Sequence, residues 1–350
     1  MSRNYWYFVI LVLLTGCSES GPEESLAEDS FGQDGDEFGD AFFSAEADEN
    51  EGMLMKPYIP PNSPAEAQAR LWQEERPEDA QVMARLAQVP VAIWLGEWSG
   101  DVRNTVERHL LAATEQEAVP VFVVYYIPDR DCSGFSAGGA VDVEDYRWWI
   151  GRVSLALQVV EDLGLPPTTF PIIILEPDAL PLGEGCLTGE DREERLALMA
   201  ETAEVLTRAG ADVYVDIGHS NWLSVKRAAE LLRAVGVENL AGFSLNVSNF
   251  RALDECTEYG EKVSGFFDGD IRFVVDTSRN GRGPDPTGEW CNPPGRALGV
   301  EPTSDTGHTL VDWFLWVKVP GESDGECNNG PPAGSWWPEY ALKLARNAGW

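Results

Sequence analysis

Basic residues are scarce. The 350-residue chain sets 25 lysines and arginines, only five of them lysine, against 59 aspartates and glutamates, for a formal charge of −34. A surface this acidic repels polyanions, so nucleic acid and anionic headgroups are excluded as partners, whereas a neutral ligand meets no such barrier. Histidine is scarcer still, with three in all. No C-x-x-C pair stands with histidine at ligand spacing, which disfavours a zinc site. No dinucleotide-binding glycine pattern or serine elbow is placed between a strand and a helix. Neither metal nor cofactor is expected. What the chain has in quantity is carboxylate and aromatic surface, including 13 tryptophans.

The two ends differ. One base, Arg3, precedes the apolar run "YWYFVILVLL" and then "LTGC" (14–17). That run is short for a membrane span and reads as a secretory h-region, and "LTGC" has the pattern of a bacterial lipobox. Residues 1–17 are thus expected to be a lipoprotein signal ending at a lipidated Cys17, and the protein is expected at the cell surface or outer membrane. Residues 18–56 are rich in Glu, Asp, Gly and Ser without apolar period, the composition of a disordered tether. Residues 57–350 are enough for one large domain, expected to be monomeric. Export makes disulfides the default for the later cysteines, Cys132, Cys186, Cys256, Cys291 and Cys327. With Cys17 acylated, five remain and one is unpaired.

Seven apolar runs follow: "VAIWLG" (91–96), "VPVFVVYYI" (119–127), "FPIIILEPDAL" (170–180), "DVYVDIG" (212–218), "LAGFSLNVSN" (240–249), "IRFVVDTSR" (271–279) and "DWFLWVKVPG" (312–321). Helix-like stretches lie between them, such as "DVRNTVERHLLAATEQE", "VEDYRWWIGRVSLALQVVEDLG", "EDREERLALMAETAEVLTRAG" and "SVKRAAELLRAVG". Continuous apolar strands alternating with helices imply a parallel sheet buried on both faces, and seven such units suggest an α/β barrel.

The last six runs end in polar groups: Asp129 and Asp131; Glu176 and Asp178; Asp216 and His219; Asn246 and Asn249; Asp276 and Arg279; Lys318, Glu322 and Asp324. A single acid there could cap the next helix. Six strand ends in succession mark instead the face where α/β barrels place their active sites. Tryptophans in polar company (Trp94, Trp98, Trp222, Trp290, Trp336, Trp337) offer flat faces for sugar rings, although many must be core. Paired carboxylates beside aromatic platforms suit glycoside hydrolysis, which needs an acid for the leaving oxygen and a second carboxylate near the anomeric carbon. Asp178, after a buried strand and Pro177, is the candidate acid, because burial raises a carboxyl pKa. Asp131 could supply the negative charge that keeps it protonated, and Arg130 could pair with either aspartate as plain structure.

The stretches "VVYYIPDRDCSGFSAGG", "IIILEPDAL", "VDIGHSNWL", "GFSLNVSNF", "VVDTSRNGRGP", "WCNPPGRALG" and "WVKVPGESDGEC" together resemble glycoside hydrolase family 6, the cellulases, in order from about Trp94 to the C-terminus. The resemblance implies a distorted barrel of seven parallel strands that cleaves β-1,4-glucan with inversion by direct water attack. It assigns the general acid to Asp178 and the aspartate that tunes it to Asp131. Tyr125 takes the place of the tyrosine crowding the distorted sugar, and Ser136, or one residue on Ala137, that of the serine holding the catalytic water. Asp324 falls on the proposed general base, with relay through water as the alternative. Trp94, Asp216, His219, Trp222, Asn246, Trp290, Lys318 and Glu322 fall on sugar-binding positions. The family's disulfides map to Cys132 with Cys186 and Cys291 with Cys327, leaving Cys256 unpaired. Only "ALPLGEG" separates Asp178 from Cys186, and short loops imply an open cleft and an endoglucanase. The rivals are a cellobiohydrolase of the same family, an enzyme of mixed-linkage glucan, and a non-catalytic glucan-binding lipoprotein, whose mark would be loss of Asp178 or Asp131.

Overall fold

The computed structural model describes residues 55–159, 170–268 and 271–350. The expected signal, the lipidated Cys17, the tether up to residue 54 and the end of the helix-like stretch from 143 lie outside these.

The seven runs form seven strands: β1 (Ile93–Leu95), β2 (Val121–Val124), β3 (Ile172–Leu175), β4 (Asp212–Asp216), β5 (Gly242–Leu245), β6 (Arg272–Asp276) and β7 (Val311–Leu315). All neighbouring pairs are parallel and the sheet runs in chain order from β1 to β7. Val121 stands beside Ile172 and Val124 beside Leu175; between β6 and β7 the register shifts at Phe273/Val274.

Alternate residues serve two cores, which is why the runs read as continuously apolar. Val121, Val123, Ile172, Ile174, Tyr214, Val274 and Trp313 pack together on one face of the sheet. Phe122, Val124, Ile173, Leu175, Val213, Phe243 and Phe273 pack on the other, with helical residues such as Val106, Leu110, Tyr146, Met199 and Leu232. The interior is therefore filled with side chains, as in other small barrels.

Closure is incomplete. Among the described residues no ladder joins β7 to β1; the Ala92 N–H donates to the Trp316 carbonyl at 3.0 Å and the Trp94 indole to that of Val317 at 2.8 Å. Helices Pro64–Trp72, Pro77–Leu86 and Pro338–Asn347 share an apolar cluster with Trp316, the residue after β7, and so back this seam. Three of the other helices begin with side-chain caps: Asp101, Asp142 and Ser224 each accept the N–H three residues on. The architecture is the α/β, distorted seven-stranded barrel expected from the seven runs.

Candidate active site

Three strand-end carboxylates turn inward. Glu176 is fully buried and accepts the Tyr126 N–H at 3.0 Å and the Tyr146 hydroxyl at 2.9 Å. Asp216, equally buried, accepts the N–H of Asp178 at 2.9 Å, that of Gly218 at 3.0 Å and the Ser244 hydroxyl at 3.1 Å. Asp276 accepts the N–H groups of Ser248, Ser278 and Lys318 at 2.9, 2.9 and 3.0 Å. Each acid ends one strand and holds the loop of a neighbour, satisfying amides that no ladder can reach. Burial pushes Glu176 and Asp216 up to about 7 against these stabilising N–H bonds. Asp216 therefore lies beneath the cleft rather than in it. Asn246, also fully buried, is likewise structural in its contacts, donating to the Asp276 carbonyl at 2.8 Å and accepting the Arg251 N–H at 2.9 Å.

Asp178 behaves differently. It holds the position before helix Ala179–Cys186 with φ of 68°, in the left-handed region, but its side chain makes no capping bond. Its Oδ1 is buried without a hydrogen-bond partner, a costly arrangement that a structural role would have avoided. Burial raises its pKa well above the usual carboxylate range, and the negative charges of Asp216 and Asp131 raise it further against the pull of Lys318. The side chain lines the cleft, and this upward shift favours its protonated form there.

Asp131 reaches the same cleft from an irregular loop after β2, itself at φ of 58°. Its Oδ2 accepts the Ser136 N–H at 2.6 Å, and burial raises its pKa despite that bond and Arg130. The Arg130 guanidinium pairs with neither aspartate. It binds Glu97 at 2.7 and 2.8 Å, the Tyr125 carbonyl at 2.9 Å and the Ser136 carbonyl at 2.8 Å, pinning three segments together. Ser136 lines the cleft and Ala137 does not. The stretch "GFSAG" (134–138) does spell G-x-S-x-G, but it lies in this loop, away from any sharp strand-to-helix turn. Tyr125 stands edge-on to Trp94 with ring centres 5.2 Å apart, and burial, then Asp178 and Asp131, keep its hydroxyl protonated.

On the opposite wall Asp324 meets the fully buried Arg279, whose Nη1 lies 2.9 and 3.0 Å from its two oxygens. The Asn292 N–H donates to Oδ2 at 2.9 Å, and the Lys318 ammonium stands 3.7 Å from Oδ1. Both oxygens of Asp324 are thus engaged. Lys318 lines the cleft, whereas Glu322 does not; burial raises its pKa against the charges of Lys318 and Arg279.

The cleft encloses about 550 Å³ and is walled by Trp94, Trp222 and Trp290 with His219 beside them. His219 accepts the Asn221 N–H on Nδ1 at 3.2 Å, which assigns its proton to Nε2. Burial and then Arg251 depress it to about 4, so it is a neutral donor. Leu182, Asn221, Ser248, Asn249, Phe250, Arg251 and Asp285 also line the walls. None of these was singled out as a ligand from sequence except Asn249, by its place at a strand end. They sit on loops without periodicity, and only proximity to the strand-end residues marks them. Among the described residues no three His, Cys, Asp or Glu side chains converge as metal ligands.

Disulfides join Cys132 to Cys186 and Cys291 to Cys327, and Cys256 is free and buried. The first ties the Asp131 loop to the helix after Asp178; the second closes the segment that carries Asp324.

The model of the glycosyl hydrolases family 6 matches residues 53–348. Endoglucanase A of Cellulomonas fimi is 41% identical over 283 residues, 80% of this chain and 59% of that protein, so the chain spans about three fifths of its length. Endoglucanase 1 of Streptomyces sp. (strain KSM-9) is 40% identical over 289 residues, 80% of this chain and 77% of that one. The structure of the endoglucanase Cel6 from Mycobacterium tuberculosis, in complex with methyl-cellobiosyl-4-deoxy-4-thio-β-D-cellobioside, superposes with a TM-score of 0.77 at 42% identity, covering 85% of this chain and 98% of that one. With strand order, paired disulfides and a carboxylate-lined cleft in place, the family match over almost the whole described domain has one consequence: the chain belongs to glycosyl hydrolases family 6.

Proposed function

We propose that this chain is an endo-β-1,4-glucanase that hydrolyses internal bonds of cellulose or a related β-glucan with inversion, Asp178 being the general acid. The observation that carries the reading is the buried, unpartnered Oδ1 of Asp178 in a cleft shared with Asp131 and three tryptophans. Relatives named as endoglucanases, and a similar structure holding a thio-linked cellobioside, support the substrate class.

In this mechanism Asp178 gives its proton to the glycosidic oxygen as the C1–O bond breaks, and a water attacks C1 from the opposite face. The water's proton passes to a carboxylate. Asp131 suits that task better than Asp324, because one of its oxygens is free of hydrogen bonds while both oxygens of Asp324 are occupied. Tyr125 and Ser136 crowd the sugar and hold the water. Trp94, Trp222, Trp290, His219 and Lys318 bind the chain directly, and Asp216, Asn246 and Glu322 support it from beneath. Endo action rests on the short helix Ala179–Cys186 and the compact loop closed by Cys291–Cys327, which leave the cleft unroofed.

Outside the described residues, we assign 1–17 to a lipoprotein signal, Cys17 to a lipid anchor and 18–56 to a tether that gives a monomeric enzyme reach from the cell surface. Cys17→Ser should release the enzyme from membranes; continued membrane association would overturn the anchor. For the activity, rapid viscosity loss in carboxymethylcellulose at low release of reducing ends is expected. Soluble disaccharide without thinning would indicate the exo-acting reading, and no hydrolysis with retained binding the non-catalytic one.

A further inference from the structure

Trp98 is 53% exposed, and it does not line the cleft. A large aromatic ring left in water is informative when its position is fixed, because fixing it costs side-chain entropy with no core to repay it. Three contacts fix this one. Its indole N–H donates to the Trp94 carbonyl at 3.2 Å. Its six-membered ring lies over Gly96, where any Cβ would fall 2.6 to 2.8 Å from the ring carbons, so only glycine admits the approach. The Arg130 guanidinium stands 5.2 Å from the ring centre.

Arg130 links this exposed ring to the catalytic wall. The same guanidinium lies 4.6 Å from the centre of the Tyr125 ring and bonds the carbonyls of Tyr125 and Ser136. Tyr125 in turn meets Trp94 edge-on. Trp94, Tyr125, Arg130 and Trp98 thus form one continuous packed group running from the cleft wall to an exposed ring. The bond from the Trp98 indole to the Trp94 carbonyl ties the exposed ring to the backbone of the cleft residue.

We propose that Trp98 is an additional sugar platform, stacking a glucosyl unit of a long β-glucan chain beyond the one that Trp94 serves. The proposal rests on the reading of the cleft as a β-glucan site. The occupant is set by continuity: Trp98 donates to the Trp94 carbonyl and keeps half its surface open to solvent, so its ring adjoins a residue that walls the cleft. The charge of Arg130 is spent on Glu97, so the rim offers an aromatic face and not an anion site.

The test compares kcat/KM for cellotetraose and cellohexaose in the wild type, Trp98→Ala, Trp98→Phe and Trp148→Ala, a control at a helix surface 66% exposed. Trp98→Ala should lower kcat/KM for the hexaose by about threefold to tenfold through KM, as loss of one aromatic stack does, and leave the tetraose unchanged. Trp98→Phe should recover part of it, and Trp148→Ala should change neither. An equal change on both lengths, or none, overturns the platform while leaving the enzyme reading intact. A wild type inert on both lengths overturns the enzyme reading and the platform with it.

Discussion

The Asp216 carboxylate accepts the backbone N–H of Asp178 at 2.9 Å. One buried acid therefore fixes the main chain of a second and, by its charge, raises the second's pKa. Position and protonation are set through the same contact. Asp216→Asn separates the two, since the amide oxygen can still accept that N–H while the charge is gone. The alkaline limb of the kcat profile should move to lower pH, because Asp178 loses one of the charges that hold its proton. A profile unmoved on its alkaline side would show that burial and the other charges, Asp131 first, set Asp178 without Asp216.

Asp178→Asn removes the proton donor and keeps the shape. Hydrolysis of soluble cellulose should fall by about 10²-fold to 10⁴-fold, the range of a lost general acid. Oligosaccharide binding and melting temperature should be retained, since Asn matches the carboxyl in shape and, like its protonated form, adds no charge beside Asp216 and Asp131. Turnover near that of the wild type on an unactivated substrate would remove Asp178 from the mechanism.

The sequence shows the strands plainly because each is buried on both faces, and it shows Asp178 and Asp131 because they stand at strand ends. It does not show which strand-end acids face the cleft. Glu176, Asp216 and Asp276 look like Asp178 in a linear reading, and only the fold reveals that they turn inward to bind N–H groups. Arg130 was open to pairing with its neighbours, but its partner Glu97 lies 33 residues away. Helices such as Pro64–Trp72 and Pro77–Leu86 carry few buried positions, so their pattern is weak until the β7–β1 seam they cover is known.

Glu176 and Asp216 should each cost stability as pH rises through the weakly acidic range. Glu176 and Asp216 have native pKa values of about 7 against ordinary values of 4.5 and 3.8, so the native state holds protons that the unfolded state has released. Their contribution is complete below the unfolded values and is lost as pH climbs through about 7. Carboxylates with lowered pKa values, such as Glu184 and Glu255, act oppositely below their ordinary value of 4.5, and the buried His109 and His219, held down to about 4, act oppositely between that value and 6.5. Asp216→Asn keeps all these opposing groups, so across this window the melting temperature of the wild type should fall relative to that of the variant. Parallel curves for the two proteins would contradict the assignment.

Arg279 and Asp324 form an ion pair with 0% and 6% side-chain exposure. Breaking such a pair from one side leaves a buried charge without its partner, which costs about 3–5 kcal/mol, whereas removing both halves costs much less. Urea denaturation of Arg279→Met should show that loss, because Lys318 at 3.7 Å and the Asn292 N–H are all that remain to the carboxylate. Asp324→Asn in the same background should recover a substantial part, since a neutral amide needs no counter-charge. If the double variant were no more stable than the single, the cost would lie in the packing of the guanidinium against Phe250, whose ring centre is 4.2 Å away, and not in the charge. The activity of the double variant then bears on the base: activity well above that of Asp131→Asn would mean that the water's proton does not go to Asp324.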